Sequence, residues 1–485
     1  MNAPIRRIGI VVAAMFCALL MSSTLIQFVQ AKDLRERPGN RRTLLASYSK
    51  ERGSILVGGN AVAVSKEADD TFKWQRTYPQ AKMYAPVTGY YSFTYGAGRG
   101  IEGSYDDLLS GSSDSLFYRR LVDVVTGRPP AGATLELTVD PAVQKAAWDA
   151  LGNQRGAVVA LDPKTGAILA MVSKPSYDPN LLADHDLPKV SKAWSTLSTD
   201  KDHPLTNRAI NGNLYPPGST FKLITAAAAL ESGQYTPASE LDAPAELDLP
   251  QTSVTLPNIT GKECGPGGKD NLKHALKISC NTAFGSLGMA LGQDKLRSQA
   301  RKFGYGQSVT VPMRVTPSIF PATLNEPQLA QSAIGQFDVR ATPMQVAMVS
   351  AAIANGGKEM TPYLVKNVRD SDLDVIDSTD PQEFAKPISG QTASQLNDMM
   401  QAVVDGGSGR KAKIPGMKVA GKTGTAQTAK GKAADVWFTG FAPADNPRVA
   451  VAVVVEDGGT MADEASGGIV AAPIAKKVME AVVSR

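Results

Sequence analysis

In "NLYPPGSTFKLITAAAALESG", Ser219 stands three residues before Lys222, and a run of good helix formers follows. A serine hydroxyl is a weak nucleophile until a base takes its proton. Positions i and i+3 share one face of a helix, so the Lys222 amine can reach the Ser219 hydroxyl. That amine must first be neutral. Lowering a lysine pKa from ~10.4 to about 7 corresponds to ~4–5 kcal/mol, and burial and a second cation both push that way. The positive end of the helix would help an oxyanion at the same place. The same spacing also describes an N-capping serine followed by a solvated lysine. Ser-x-x-Lys recurs elsewhere, as at Ser47/Lys50 and Ser408/Lys411, but only Ser219 opens a long apolar helix. Such a helix can bury itself and leave its first turn at a cleft.

Two further groups complete a candidate site. "VAGKTGTAQ" carries Lys422, Thr423, Gly424 and Thr425. On a strand beside the serine they would supply a second cation, two hydroxyls and a glycine that allows close substrate approach. Lys164-Thr165-Gly166 has the same letters, but it follows Asp162-Pro163 between two apolar runs and reads as a hairpin turn. "ISCNTAF" holds Ser279 and Asn281, the one Ser-x-Asn in the chain, at a break between two helical patterns. Taken singly, each group is a turn or a polar helix break. Together, in the order Ser219, Ser279, Lys422, they are far more specific. No histidine stands in a recognisable triad motif, so a Ser–Lys pairing is the attractive one. His185, His203 and His274 are scattered and no His/Cys metal spacing occurs, so neither metal nor cofactor is expected.

These residues require a scaffold. Residues 134–139 read as a strand, and Asp140-Pro141 supplies an N-cap and an N1 proline for a helix. "GAVVALDPKTGAILAMVSKPS" and "VWFTGFAPADNPRVAVAVVVED" are hairpins, with helical patterns between them at 219–232, 270–292 and 342–355. That order predicts an α/β domain over 134–485, an antiparallel sheet flanked by helices. Residues 51–133, rich in Gly, Tyr and short apolar runs, predict a small mainly-β module of strands and turns. Residues 8–29 are 22 residues without a charge, long enough to span a bilayer as an anchor. Arg6 and Arg7 place the tail 1–7 in the cytoplasm, and 30–50 reads as a polar, basic linker. A cleaved signal peptide ending at Val29-Gln30-Ala31 is the alternative, although the apolar run exceeds the usual ~7–15 residues. Either reading exports the rest of the chain.

A net charge of +5 over 485 residues, with no dense Lys/Arg patch, excludes nucleic acid as an expected partner. Cys17 lies in the anchor, whereas Cys264 and Cys280 lie outside, where disulfides persist. A bond between them would close a loop of about 15 residues, worth ~3 kcal/mol in the chain-entropy model. The other reading is two free thiols, one of them a small buried apolar residue.

With these motifs in view, the chain resembles the penicillin-binding proteins. Ser-x-x-Lys, Ser-x-Asn and Lys-Thr-Gly mark the penicilloyl-serine transferases. "PPGSTFK", "AGKTGTAQ", "WFTGFAP", "LTVDPAVQ" and "GAVVALDPKTGAILAMVSKPSYDPN" are similar to that family's transpeptidase domain. "ERGSI", "RTYP" and "GIEGSYDDLLSG" resemble the N-terminal pedestal or dimerisation module of class B members, the monofunctional transpeptidases. The short module and single anchor are most similar to the actinobacterial A-type branch. The resemblance covers nearly the whole chain and carries no glycosyltransferase signature.

The resemblance implies a serine β-lactamase-like fold and a peptidoglycan D,D-transpeptidase, single-pass in the cell membrane with its catalytic domain outside. Ser219 would attack the penultimate D-Ala carbonyl of a stem pentapeptide, and Lys222 would take its proton. Ser279 would pass a proton to the leaving D-Ala, and Asn281 would hold the substrate backbone. Lys422, Thr423 and Thr425 would face the terminal carboxylate, with Gly424 beside it. The backbone N–H groups of Ser219 and Thr425 would form the oxyanion hole, where one donor is worth ~10²–10³ in rate. A second stem-peptide amine would take the acyl group. β-Lactams would leave the serine acylated. Membrane proteins of the division or elongation machinery would be partners.

The chain departs from the family at two places. "SAIGQFDVRATPMQ" is similar to a segment that often has Gly where Phe337 stands. The paired cysteines are not a general family feature; bonded, they would tether the loop bearing Ser279 and Asn281. Three rival readings share the acylation chemistry or the motifs. A serine β-lactamase needs a deacylating base, and "NEPQLA" is similar to the class A Glu-Pro-x-x-Asn loop, with Glu326 as the acid but Ala330 in place of the asparagine. A D,D-carboxypeptidase would use water as acceptor. A β-lactam sensor or a catalytically weak division scaffold is the non-enzyme alternative.

Overall fold

The computed structural model describes residues 3–30, 48, 50–116, 125–127, 131–212, 214–428 and 431–484. Its central sheet has five antiparallel strands, in the order Ala420–Ala426, Asp435–Ala442, Val449–Val455, Gly156–Leu161 and Ile168–Lys174. The runs "VAVAVVV" and "GAVVAL" do not alternate apolar with polar because both faces of the sheet are covered. Ala157 and Val159 enter one core with helices Lys222–Glu231 and Pro343–Ala354. Val158 and Ala160 enter the other with helices Pro141–Leu151 and Ala471–Val483. Local signals start two of these helices where the sequence places them. Asp140 accepts from the Ala142 and Val143 N–H groups with Pro141 at the first turn, and Thr342 caps Pro343–Ala354 in the same way.

A second, six-stranded sheet joins the N-terminal residues to this body. Its order is Val375–Ser378, Val365–Arg369, Thr134–Leu137, Ile55–Val57, Asn60–Glu67 and Trp74–Thr77. Ile55–Val57 runs parallel to Thr134–Leu137, so one sheet combines strands from both sides of residue 133. Buried Glu102 accepts from Arg52, Arg76 and Tyr78 and fixes the segment behind that sheet. The strands-and-turns expectation for this region misses the helix Ala81–Thr88. No side chain caps that helix and Pro86 lies inside it, so it has no local signal. Burial of Tyr84 to Thr88 holds it, a tertiary override of propensity.

At the N-terminus the α-helix Ala3–Thr24 continues as a π-helical turn, Leu25–Val29. Over Pro4–Val29 it is long and apolar enough to cross a membrane, and none of its most apolar window is buried against the rest of the chain. Nearly all of the expected 30–50 linker, including Ala31 of the alternative cleavage site, lies outside the described residues.

Candidate active site

Pro216 and Pro217 lead into a 3-10 turn, Gly218–Phe221, which runs directly into the helix Lys222–Glu231. Ser219 therefore sits within a continuous turn, and its side chain caps neither helix. The capping interpretation fails, and the serine is buried at the base of a cleft. Gly218 has φ +52, and a Cβ there would stand 2.8 Å from the Thr425 carbonyl oxygen. A Cβ on Gly424 would meet the Pro217 oxygen at 3.0 Å. These two glycines let the strand Ala420–Ala426 lie directly against the serine turn.

Lys222 is wholly buried, as is Lys422. Lys222 Nζ donates to the Ser279 carbonyl at 2.8 Å and to Asn281 Oδ1 at 2.8 Å. Lys422 Nζ donates to Ser279 Oγ at 2.8 Å and to the Thr423 carbonyl at 2.9 Å. Ser279 Oγ also lies 3.4 Å from Lys222 Nζ, so one hydroxyl bridges two amines. Burial, and then the charge of Lys422, push Lys222 well below the ordinary lysine range. Burial alone brings Lys422 down to about 7. A neutral Lys222 spends its two N–H bonds on Ser279 and Asn281 and keeps a lone pair for an incoming proton. The direct Ser219–Lys222 hydrogen bond suggested by the spacing is not made. Such bonds often close only when substrate is bound.

The Ser-x-Asn segment is a sharp corner between helices Leu272–Ile278 and Asn281–Leu291. Ser279 turns it in the left-handed region, at φ 64° and ψ 40°, a conformation that costs a β-substituted residue of order ~1 kcal/mol or more. Two supports hold the corner. A disulfide joins Cys280 to Cys264. Asn258, from a distant loop, accepts from the Asn281 and Thr282 N–H groups through Oδ1 at 2.9 and 3.1 Å. Its amide nitrogen donates to the Pro244 and Lys262 carbonyls. Nothing in the sequence marks Asn258, because its role arises only when residues 258 and 281 meet. Ser408 Oγ is 2.7 Å from Thr423 Oγ1, a contact that its Ser-x-x-Lys spacing did not mark.

Ser219, Asn281 and Thr425 line a single cavity of about 730 Å³, with Gln331, Gln336 and Lys432 along its rim. Lys222, Ser279, Lys422 and Thr423 lie buried behind its wall.

A family model described as the penicillin-binding protein transpeptidase domain matches residues 156–480. The chain belongs to that family. A second model, the penicillin-binding protein A dimerisation domain, matches residues 52–135 of this penicillin-binding protein. It is 44% identical over its whole length to a peptidoglycan D,D-transpeptidase, PbpA, of Mycolicibacterium smegmatis, covering 99% of that protein. The identity to the Mycobacterium tuberculosis PbpA is 43%, again over 100% of this chain and 99% of the relative. The structure of M. tuberculosis penicillin-binding protein A as a ceftriaxone acyl-enzyme superimposes with a TM-score of 0.87 at 43% identity, over 90% of this chain and 100% of that one. The penicillin G acyl-enzyme of the same protein gives 0.85 at 42% identity, over 89% and 99%.

Two further positions bear on the rival readings and the departures. Glu326 is exposed in the first turn of helix Glu326–Ala333, whose Asn325–Gln328 capping box explains the motif's letters. It does not line the cleft that holds Ser219. Phe337 has φ +58, the left-handed conformation for which glycine is suited. The family's usual glycine and this phenylalanine therefore meet the same backbone demand.

Proposed function

We propose that this chain is a membrane-anchored peptidoglycan D,D-transpeptidase, acylated and inhibited by β-lactams, that works through Ser219. Lys222 takes the Ser219 proton as Oγ attacks the penultimate D-Ala carbonyl of a stem pentapeptide. The backbone N–H groups of Ser219 and Thr425 receive the oxyanion. Ser279 relays the proton to the departing D-Ala amine, and Asn281 holds the donor backbone. Lys422, Thr423 and Thr425 take the terminal carboxylate, with Gly424 allowing the approach. A second stem-peptide amine then accepts the acyl group. The observation that carries this reading is Lys222: wholly buried, pushed toward its neutral form, and bonded to Ser279 and Asn281 behind the Ser219 cleft. The relatives named D,D-transpeptidases support it.

The proposed division of the chain is a tail 1–7, an anchor 8–29, a linker 30–50, a module 51–133 and a catalytic domain 134–485 on the extracytoplasmic side. The module is the proposed docking site for division or elongation proteins.

Full-length protein in detergent is incubated with a fluorescent penicillin beside Ser219→Ala, and denaturing gels are read over time. A long-lived label on wild type that is absent from the variant is expected. A folded wild type that takes no label overturns the proposal.

A further inference from the structure

A second polar cavity, of about 670 Å³, adjoins the cleft. Gln336, Gln427 and Lys432 line both, so the two spaces share a wall. Tyr215 and Pro216 carry that wall to the serine turn. The floor is charged, but most of its charges are already spent. Glu456 accepts from Arg155 Nη2 at 2.6 Å, Arg208 Nε at 2.8 Å and Tyr215 Oη at 2.7 Å. Asp435 differs. It is only 4% exposed, and its carboxylate accepts a backbone N–H from Asp457 at 3.1 Å. Among the described residues no cation lies within ion-pairing distance of it. In the sheet Asp435 faces Ala426, while its neighbour Val436 faces Thr425, so the acid stands one step beyond the strand that closes on Ser219. Burial lifts it to about 7, and an arriving cation would hold it ionised.

A buried carboxyl that feels Arg155 only from beyond ion-pairing distance, in a cavity that shares a wall with the cleft of a nucleophile, is a site for an ammonium group. The donor half of the reaction uses the cleft on the Lys422 side and leaves this side unassigned. We propose that the second cavity receives the acceptor peptide and that Asp435 binds its ammonium group before transfer. The proposal rests on the transpeptidase reading. The acceptor arrives as R–NH₃⁺ and loses one proton to water as it leaves Asp435 for the cleft. Its nitrogen attacks the Ser219 ester carbonyl. The C–N bond forms, the C–Oγ bond breaks, and the second nitrogen proton returns through Lys222 to Ser219 Oγ. The products are an amide and the free serine.

Full-length protein in detergent is given a benzoyl-D-alanyl thioester as donor and an acetylated tripeptide with one free lysine side-chain amine as acceptor. The ratio of amide to hydrolysed product is read against amine concentration. Penicillin acylation of each variant reports that its fold and donor site are intact. For Asp435→Asn the expected result is at least a tenfold rise in the KM for the amine, with hydrolysis and the limiting transfer rate little changed. Thr428→Trp, which fills the mouth of the second cavity from an exposed position, should also lower the transfer ratio. If Asp435→Asn does not fold, this second variant decides. A wild-type transfer ratio in variants that acylate normally overturns the proposal and leaves the transpeptidase reading standing. A wild type that takes no penicillin overturns both.

Discussion

Two buried amines on one serine hydroxyl define the chemistry at the residue scale. Burial and the charge of Lys422 both disfavour a charge on Lys222, which suits the proposed base. The sign of this coupling is testable. Lys422 lowers the Lys222 pKa, so removing that cation raises it, and less of the base is free at neutral pH. In Lys422→Gln the acid limb of the penicillin acylation profile should move to higher pH. The proposed carboxylate contact of Lys422 is lost as well, which would lower the rate at every pH, so the limb's position, not its height, is the readout. Glu359 offers a second test, away from the site. It is fully buried, both carboxyl oxygens lack a partner among the described residues, and burial raises its pKa to about 8. Its folded pKa is above the unfolded value, so between pH ~4.5 and ~8 the unfolded state binds fewer protons, and stability falls as pH rises. Glu359→Gln should remove that slope and gain on the order of a few kcal/mol at pH 8, with little difference near pH 4.5, by denaturant titration. Motif spacing picked out Ser219, Lys222, Ser279, Asn281 and Lys422, and the structure brings them together. It could not reveal that Ser279 turns left-handed to bridge the lysines, because that depends on residues brought together from three elements.

At the scale of elements, the helix Asn281–Leu291 begins with a weak sulfur cap, Cys280 Sγ accepting from the Ala283 N–H at 3.4 Å, and draws the rest of its capping from outside its own chain neighbours. Cys280 is committed to the disulfide, and the Asn281 and Thr282 N–H groups are satisfied by Asn258. Truncating a capping side chain costs about 1–2 kcal/mol. Asn258→Ala should therefore lower stability by that amount. Because it also frees the backbone of Asn281, penicillin acylation should fall at least tenfold, measured as a second-order rate constant. Unchanged acylation would mean that the disulfide alone fixes the corner. Periodicity and capping letters carried the hairpins and the helices at 141 and 343, since those elements obey local rules. Ala81–Thr88 obeys none. Its residues are helical because the sheet beside them buries one turn after another, and no window of sequence records that.

The whole molecule sets a folded body apart from an apolar helix whose most apolar window is buried by none of the described residues. One sheet unites strands 55–57 and 134–137 with 365–369, so the N-terminal module and the catalytic part share hydrogen bonds and hold a fixed relation. The first helix has no such bond among the described residues. The most apolar window of Pro4–Val29 is entirely unburied, and Ile8, Met15, Leu19 and Phe28 are each more than half exposed. An apolar surface of that extent is stable only in lipid or against a partner. Deleting residues 1–30 should therefore move the protein from the membrane pellet to the soluble fraction. The deletion leaves Tyr48 in place, stacked on Tyr91, so the edge of the module is not opened. Both sheets and the two buried lysines are untouched, so the penicillin acylation rate should stay within about twofold of the full-length protein, since substitutions or losses that touch no packed residue rarely alter a site. A tenfold loss of acylation in a soluble, cooperatively unfolding truncation would show instead that the helix contributes to the geometry of the site. Retention in the pellet would place a second membrane contact on the body itself.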